Sequence, residues 1–451
     1  MSTTPLDQRV PLRIAASWGT GTFATTTILN GIAAVLLYYL VNFAGMEPVV
    51  AGALIFGAKL LDVVVSPPMG MLSDRTASRW GRRRPYLFGA SFFCGLAFAL
   101  LFNVPQDSGA LLTYAWIAAG LLLYVVAYTA FQVPYMAMPA EMTADYHERT
   151  RIMTWRVGFM TLGNMMGFAG CPALVAAYGG DHAAYGRMGL TVGVLISVMM
   201  LITFFGTRGA RETPRPAEPL SLASQLPTLL ANRPLVVMMA IKVVLYAGIA
   251  SFTAVMLFVL GSLLKKGPEA LAIFGVVSAA LTLVFIPIQS WISRRMDKRR
   301  AYCLSLVGYI FGMLTWLAAT PEEPLWVFAV RAAVLGALNA GLFLHSNSML
   351  TDTFAYDYQL SGVRREGLLS AAFAFVEKIS LAFGPLVVGT LLSTMGFDKT
   401  LPPTADQSAS AELAMWIGFF WIPIASQVGA LVLMRFYRLS EGDFSTVPAR
   451  S

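Results

Sequence analysis

A single carboxylate, Asp62, interrupts an apolar segment that runs from Val49 to Leu72. A charged side chain at membrane depth costs about 2.5–3.5 kcal/mol on insertion scales, so it is rarely kept without a function. A lysine, Lys378, lies in another apolar segment, directly after Glu377. An acid in such a setting can take up and release a proton or bind a small cation. The sequence therefore predicts a membrane protein with an ionisable group in its transport path.

A dense basic loop follows the Asp62 segment directly. Its arginines are Arg75, Arg79, Arg82, Arg83 and Arg84. A basic cluster beside a hydrophobic span marks the cytoplasmic side of a membrane. Most other loop Lys and Arg residues fall on this same side, which predicts that both termini are cytoplasmic. The expected location is the plasma membrane, which is the inner membrane in a bacterium.

The composition argues against several other classes of protein. Of the 451 residues, 57% are hydrophobic and 12% are charged, whereas soluble domains average about 25% charged residues. The net charge of +8 lies in short loops between apolar spans, so nucleic-acid binding is not expected. The sequence has no phosphate-binding Gly-Lys-Ser/Thr loop and no catalytic constellation. We therefore expect neither an enzyme nor a bound cofactor or metal.

Twelve apolar segments are long enough to cross a bilayer, for which about 20 residues suffice. They lie at 14–43, 48–72, 85–104, 109–137, 152–178, 187–206, 234–263, 268–292, 301–319, 324–350, 367–396 and 411–436. An all-α polytopic membrane protein with twelve transmembrane helices is therefore predicted.

The loops indicate an internal repeat, because those after the second and fourth spans of each half are alike. They are Gly70–Pro85 with Ser290–Tyr302, and Met142–Arg151 with Thr351–Glu366. Two parallel repeats of six spans describe the major facilitator architecture. The predicted division is a six-helix bundle at 1–206, a cytoplasmic linker at 207–233 and a second bundle at 234–451. A channel is disfavoured, since channels usually reach such symmetry by oligomerising, and we expect a monomer.

Four blocks occur in order across nearly the whole chain. They are Asp62–Pro85, Val133–Arg151, Asn232–Pro234 and Thr351–Lys378. Together they resemble the glycoside–pentoside–hexuronide:cation symporter family, the melibiose-permease-like branch of the major facilitators. The run Ser78–Pro85 is also similar to that of plant sucrose–proton symporters. The resemblance implies a secondary carrier that works by alternating access.

The resemblance also implies a cation-coupling site. Asp62 matches the first of two helix-two aspartates that bind Na⁺, Li⁺ or H⁺, and Ser66 replaces the second. Thr129 matches a cation-ligating threonine, and Lys378 matches a lysine that lies close by. One carboxylate beside a lysine suits a proton, whereas sodium wants several hard oxygens with net negative charge. Proton coupling is therefore favoured, and sodium coupling is the alternative.

The substrate site implied by the resemblance is altered in this chain. Thr26 and Gln132 stand where relatives carry sugar-binding acids, and Arg156 matches an arginine with a slip of one residue. Met136 replaces an aromatic platform. Tyr128 either faces the cavity or joins helices through a hydrogen bond. A neutral pocket of this kind can still bind a sugar through neutral hydrogen bonds.

Charged residues of the basic side form a predicted cytoplasmic gate. Its members are Asp74, Arg75, Arg79, Arg82, Glu148, Arg149, Asp352 and Asp357. Salt bridges between these loops would lock the outward-facing state, or the arginines serve only to orient the chain in the membrane. Asp62 could likewise be half of a structural ion pair with Lys59, Lys378 or Arg156. His345 and Lys242 are either buried structural residues or participants in transport.

The function that these observations favour is proton-coupled symport of a sugar or glycoside, with Asp62 as the coupling carboxylate. The expected partners are a small-molecule substrate and the lipid bilayer. Two other classes stay open: a carrier of a lysolipid or other amphipathic solute, and a membrane scaffold or sensor that transports nothing. The intramembrane Asp62 and Lys378 argue against the scaffold.

Overall fold

The computed structural model describes residues 9–105, 109–143, 145–210, 231–361, 366–437 and 439. Within these residues twelve helices are long and apolar enough to cross a membrane, as the sequence predicts. They are α1 (Leu12–Asn42), α2 (Pro48–Arg75), α3 (Arg84–Leu101), α4 (Gly109–Pro139), α5 (Arg151–Ala177), α6 (His182–Gly206), α7 (Arg233–Leu263), α8 (Pro268–Arg295), α9 (Lys298–Ala318), α10 (Leu325–Leu360), α11 (Ala372–Thr394) and α12 (Ala409–Phe436).

Several helices continue beyond these apolar cores. The helix of α4 runs over Gly109–Met142 and that of α5 begins at Tyr146. The helix of α10 runs over Leu325–Ser361 and that of α11 over Glu366–Thr394. The extension of α4 carries Glu141, and that of α5 carries two predicted gate residues, Glu148 and Arg149.

Local sequence signals set where these helices begin. Pro48 opens α2 and Pro85 lies in the first turn of α3, positions where a missing backbone N–H costs nothing. Asp145 caps the helix of α5, because its carboxylate accepts from the Glu148 N–H at 2.9 Å. Gly81 has a φ of 92° in the loop between α2 and α3, a left-handed conformation that favours glycine.

The chain folds into two compact units that do not follow the order of the sequence. Unit 1 contains 1–217, 254–273 and 385–414, and unit 2 contains 218–253, 274–384 and 415–451. Unit 1 therefore includes one end each of α7 and α11. The predicted linker at 207–233 falls largely outside the described residues, and the predicted bundle boundaries stay a prediction.

Glycines let the helices of unit 1 approach closely. A methyl group on Gly95 of α3 would lie 2.3 Å from the Gly193 carbonyl oxygen of α6. A methyl group on Gly52 of α2 would lie 2.3 Å from the Pro385 carbonyl oxygen, so α2 packs on the end of α11 that belongs to this unit. Small residues at helix contacts are typical of membrane proteins, where close packing replaces the hydrophobic effect.

Unit 2 combines a close helix contact at a glycine with aromatic packing. Gly384 of α11 lies against the main chain of Ala250 in α7. Trp316 of α9 packs edge-on against Phe328 of α10 and Phe419 of α12, with ring centroids 5.4 Å and 5.2 Å away. These contacts fix helices around which the polar residues of unit 2 are arranged.

Candidate functional site

Asp62 lies in α2 with only 9% of its surface exposed. The Thr129 hydroxyl of α4 donates a hydrogen bond to Asp62 Oδ1 at 2.8 Å. A hydroxyl can both donate and accept, so it can stay bonded to this acid in its charged and its protonated form. The structure thus brings together two residues of the predicted cation site that are 67 positions apart in sequence.

Ser66 lies one turn after Asp62, but its hydroxyl donates to the main-chain oxygen of Asp62 at 2.7 Å. The next two residues, Pro67 and Pro68, lie inside the helix. Proline has no N–H, so neither can donate to a carbonyl one turn earlier. The ladder of α2 therefore loses two backbone hydrogen bonds next to the acid, which is typical of sites where helices bind ions or bend.

The predicted substrate residues of α4 lie on its buried and half-buried faces. Tyr128 is buried and packs against Tyr124, with ring centroids 5.6 Å apart. Met136 is half-buried. The Gln132 side-chain oxygen is buried and accepts no hydrogen bond from the described residues. A buried amide oxygen without a donor is unfavourable, so this atom has an acceptor capacity that the described residues leave unused.

Arg156 of α5 also has a buried polar atom without a hydrogen-bond partner. Its Nε lacks an acceptor among the described residues. Its helix packs on α1, where Thr26 lies against Gly163. The Thr26 hydroxyl donates within its own helix, to the Thr22 carbonyl at 2.7 Å. Asn30 and Asn164 join the same two helices through a hydrogen bond of 2.6 Å. We call this contact the α1–α5 seam.

On the basic side of unit 1, Arg83 is at the centre of an ionic cluster. Its guanidinium lies 2.9 Å from Glu141 and 3.3 Å from Asp74. Arg82 also pairs with Glu141, at 2.7 Å. The cluster ties the loop between α2 and α3 to the end of α4. Glu141 was missed among the predicted gate residues, although it lies in a sequence block that carries the family resemblance.

The other predicted gate residues of unit 1 are not joined to this cluster by a described ion pair. Glu148 pairs with Arg151 at 2.7 Å and accepts from the Val10 N–H at 3.0 Å, so it holds the N-terminal segment. Arg79 lies over the Trp80 ring at 5.2 Å, and Arg75 is exposed. Arg149 lies on the helix of α5, but its side chain is outside the described residues.

Unit 2 repeats the unit 1 arrangement with different residues. Lys298, at the start of α9, pairs with Asp352 near the end of α10 at 2.8 Å. Asp357 accepts from the Asn232 amide at 3.3 Å, and the same amide donates to the Thr353 carbonyl at 3.0 Å. In each half the loop after the second helix holds the end of the fourth, which agrees with the predicted internal repeat.

One ion pair of unit 2 joins Lys242 of α7 to Glu377 of α11, at 2.5 Å. The sequence left the role of Lys242 open. Glu377 was not predicted, because the family resemblance assigns the adjacent Lys378 to the site. Lys378 is half-buried on α11. The predicted pairing of Lys378 with Asp62 stays a prediction.

His345 of α10 is fully buried. Its Nε2 lies 3.4 Å from the Gln289 side-chain oxygen of α8. Its Nδ1 lacks a partner among the described residues. This geometry fits a histidine that joins two helices.

Comparison with known proteins places this arrangement in a family context. The family model described as "MFS/sugar transport protein" matches residues 17–441. An uncharacterized symporter of Bacillus subtilis, YnaJ, is 28% identical, with 95% of this chain and 92% of the relative covered. A putative glycoside/cation symporter of Escherichia coli, YagG, is 26% identical over 95% of this chain and 92% of its own. The isoprimeverose transporter of Lactiplantibacillus pentosus is 24% identical over 96% and 90%.

Solved structures share the fold at lower sequence identity. A bacterial homologue of the human lysosomal transporter Spinster, in an inward-facing and unoccupied conformation, has a TM-score of 0.66. It is 14% identical, with 94% of this chain and 95% of that chain covered. The nucleoside transporter NupG also has a TM-score of 0.66, at 12% identity, with 95% and 100% covered.

Proposed function

Because the chain belongs to the MFS/sugar transport protein family, we propose that it is a proton-coupled symporter of a sugar or glycoside. Asp62 is the coupling carboxylate. The observation that carries this proposal is a buried acid inside an apolar span, hydrogen-bonded at 2.8 Å by a threonine of a second helix. A charge in this position is expensive unless it has a task.

The donor set around Asp62 favours a proton over sodium. Thr129 donates to the carboxylate, and Ser66 directs its proton to a main-chain oxygen. A sodium site wants several hard oxygens, usually with net negative charge. A proton needs a single carboxylate whose pKa is set by burial and by nearby charge. Protonation therefore requires no further ligand, and the threonine supports both forms of the acid.

The substrate assignment is supported by two unsatisfied atoms and by the names of relatives. Gln132 Oε1 and Arg156 Nε are buried without a partner in the described part of the chain. An acceptor and a donor of this kind can bind the hydroxyls of a sugar. Relatives across nearly the whole length include a putative glycoside/cation symporter and an isoprimeverose transporter. We take a glycoside as the substrate class.

The proposed orientation is that of a plasma-membrane carrier, which in a bacterium is the inner membrane. Both termini are on the cytoplasmic side, as are the ionic clusters at Arg83 and Lys298. The proposed role of these clusters is to support the cytoplasmic gate in the outward-facing state. Their side-chain pairs, at 2.9 Å and 2.8 Å, join a loop to a helix end within each unit.

Transport into proteoliposomes tests this function. Wild-type protein should accumulate labelled isoprimeverose when an inward proton gradient is imposed in sodium-free buffer, and a protonophore should abolish the accumulation. Asp62→Asn should lose accumulation but keep counterflow exchange, because the neutral amide mimics the protonated acid and cannot release a proton. Asp406→Asn is the matched control, since this acid is 88% exposed and pairs with Lys265 away from the site. Accumulation driven by sodium at fixed pH, or transport of a lysolipid but no glycoside, would contradict the proposal.

A further inference from the structure

The α7–α11 contact of unit 2 contains a charged pair that the proposed function does not use. Lys242 and Glu377 lie 2.5 Å apart, and the lysine is 7% exposed. Its ammonium is 3.5 Å from the Phe373 ring centroid and 5.0 Å from that of Tyr246. Two aromatic faces and one carboxylate therefore surround the cation. We call this contact the α7–α11 seam.

The exposure of the two partners is unequal. The Glu377 side chain keeps 38% of its surface exposed, while Lys242 keeps 7%. Charged side chains within membrane spans face a bundle interior or a water-filled cavity, because exposure to lipid is too costly. The exposed part of Glu377 is therefore directed to an aqueous space. Lys242 lies behind it and pairs with its carboxylate at 2.5 Å.

The position of the pair along its helices indicates a functional role. Lys242 and Glu377 lie about 14 Å and about 16 Å from the first residues of their helices, at 1.5 Å per residue. Arg156, on the fifth helix of the first half, lies about 15 Å from the start of its helix by the same count. The fifth helix of each half thus carries a charged residue at a similar distance from its start.

A purely structural pair does not account for the geometry. Buried ion pairs are weak stabilisers, and apolar residues of similar size often replace them at no cost. The close contact of Gly384 with Ala250 already holds α7 and α11 together. The acid nevertheless keeps 38% of its side chain exposed, which a contact between α7 and α11 does not require.

We propose that Glu377 is a further substrate-binding residue, which accepts hydrogen bonds from sugar hydroxyls while Lys242 positions it. A carboxylate has about four acceptor sites, and Lys242 contacts one of its two oxygens. The exposed 38% of the Glu377 side chain is accessible to a hydroxyl. This inference rests on the proposed glycoside symport.

The test measures isoprimeverose binding to purified protein by calorimetry, together with thermal unfolding. Glu377→Gln should bind at least about tenfold more weakly, because the amide is a poorer acceptor than a carboxylate. The double variant Lys242→Met, Glu377→Gln removes both charges, so it should unfold near the wild-type temperature and still bind weakly. If the pair only supports the fold, the double variant recovers wild-type affinity.

Monodeoxy derivatives of isoprimeverose make the test specific to a hydroxyl. Removing the sugar hydroxyl that donates to Glu377 should weaken binding to the wild type but not binding to Glu377→Gln. The control is Glu323→Gln alone, which breaks the buried Glu323–Arg331 pair from one side and should lower the unfolding temperature without changing affinity.

The outcomes separate the two proposals. Wild-type binding with unchanged affinity in the folded Glu377→Gln and double variants overturns this inference alone. If every deoxy sugar loses the same affinity for the wild type as for Glu377→Gln, the inference is overturned as well. A wild-type protein that binds no glycoside contradicts both this inference and the proposed function.

Discussion

The α1–α5 seam of unit 1 and the α7–α11 seam of unit 2 are built on the same plan but carry different chemistry. Both let a glycine of the fifth helix meet the first helix of its half: Gly163 meets Thr26, and Gly384 meets Ala250. The α1–α5 seam is neutral, with Asn30 and Asn164 in a hydrogen bond of 2.6 Å. The α7–α11 seam is charged, with Lys242 and Glu377 at 2.5 Å.

The two seams show that related helix contacts can differ in how much stability depends on their polar residues. Neutral hydrogen bonds between membrane helices contribute only about 0.6 kcal/mol on average. Breaking a buried ion pair by removing one partner costs about 3–5 kcal/mol. The neutral seam can therefore tolerate change at its polar positions, whereas the charged seam has to keep its two partners matched.

The largest expected effect is the removal of one partner from the charged seam. Glu377→Ala leaves the buried Lys242 ammonium without its carboxylate, which should destabilise the protein by about 3–5 kcal/mol. Thermal unfolding in detergent and yield in the membrane measure the loss. Adding Lys242→Met should recover most of it. A single variant as stable as the wild type would remove the distinction between the two seams.

The glycine contacts should give the next largest effect. A methyl group on Gly384 would lie 2.4 Å from the Ala250 carbonyl carbon, which belongs to the backbone and cannot rotate away. Gly384→Ala should therefore cost about 1–3 kcal/mol through overpacking. Gly158→Ala is the control, since nothing lies within 4 Å of the added group. Equal unfolding temperatures for the two variants would show that α7 and α11 do not meet so closely.

Loss of the Thr129 hydroxyl should affect transport more than stability. Thr129→Val keeps the shape but removes the donor to Asp62, and hydrogen bonds to charged groups contribute about 1.5–3 kcal/mol. We expect gradient-driven uptake to fall about tenfold, while Thr129→Ser keeps most of it. Initial uptake rates at several pH values provide the measurement. Full activity in Thr129→Val would show that this hydrogen bond does not tune the acid.

The smallest effect is expected at the neutral seam. Asn164→Ala removes one hydrogen bond between α1 and α5 and should lower stability by about 0.6 kcal/mol. The unfolding temperature of Asn164→Ala, compared with that of Glu377→Ala, gives the contrast directly. A loss of stability as large as that of Glu377→Ala would mean that Asn164 contributes more to the fold than its hydrogen bond to Asn30 explains.

The sequence was sufficient to predict the membrane fold. Runs of about 20 apolar residues define spans without knowledge of tertiary contacts, and the twelve helices confirm them. Family membership and the names of relatives confirm the predicted resemblance and a transporter rather than an enzyme. The chain is an integral multi-pass membrane protein.

The pairing of charged residues could be predicted only in part. Thr129 was assigned near Asp62 because a family pattern supplied the long-range contact, which the structure shows at 2.8 Å. Arg83 had several acids available on the same side of the membrane, and nothing in the spacing selects Glu141. Such choices depend on helix rotation and on where helices end, and neither is encoded by a charge pattern.

Glu377 was missed for a related reason. The signal was present, because Phe373, Glu377 and Gly384 recur on one face of α11 at helical spacing. The matching face of α7 carries Lys242, Tyr246 and Ala250 with the same periodicity. Their pairing would have followed from comparing the faces of repeat-related helices rather than single residues.

Sugar-dependent proton uptake tests directly whether Asp62 couples the movement of protons to that of sugar. Proteoliposomes in weakly buffered, sodium-free medium receive isoprimeverose, and the external pH is recorded. We expect the medium to become alkaline with the wild type, the change to disappear in Asp62→Asn, and the change to persist in Asp406→Asn. An undiminished pH change in Asp62→Asn, with sugar uptake intact, would contradict the assignment of Asp62 as the coupling group.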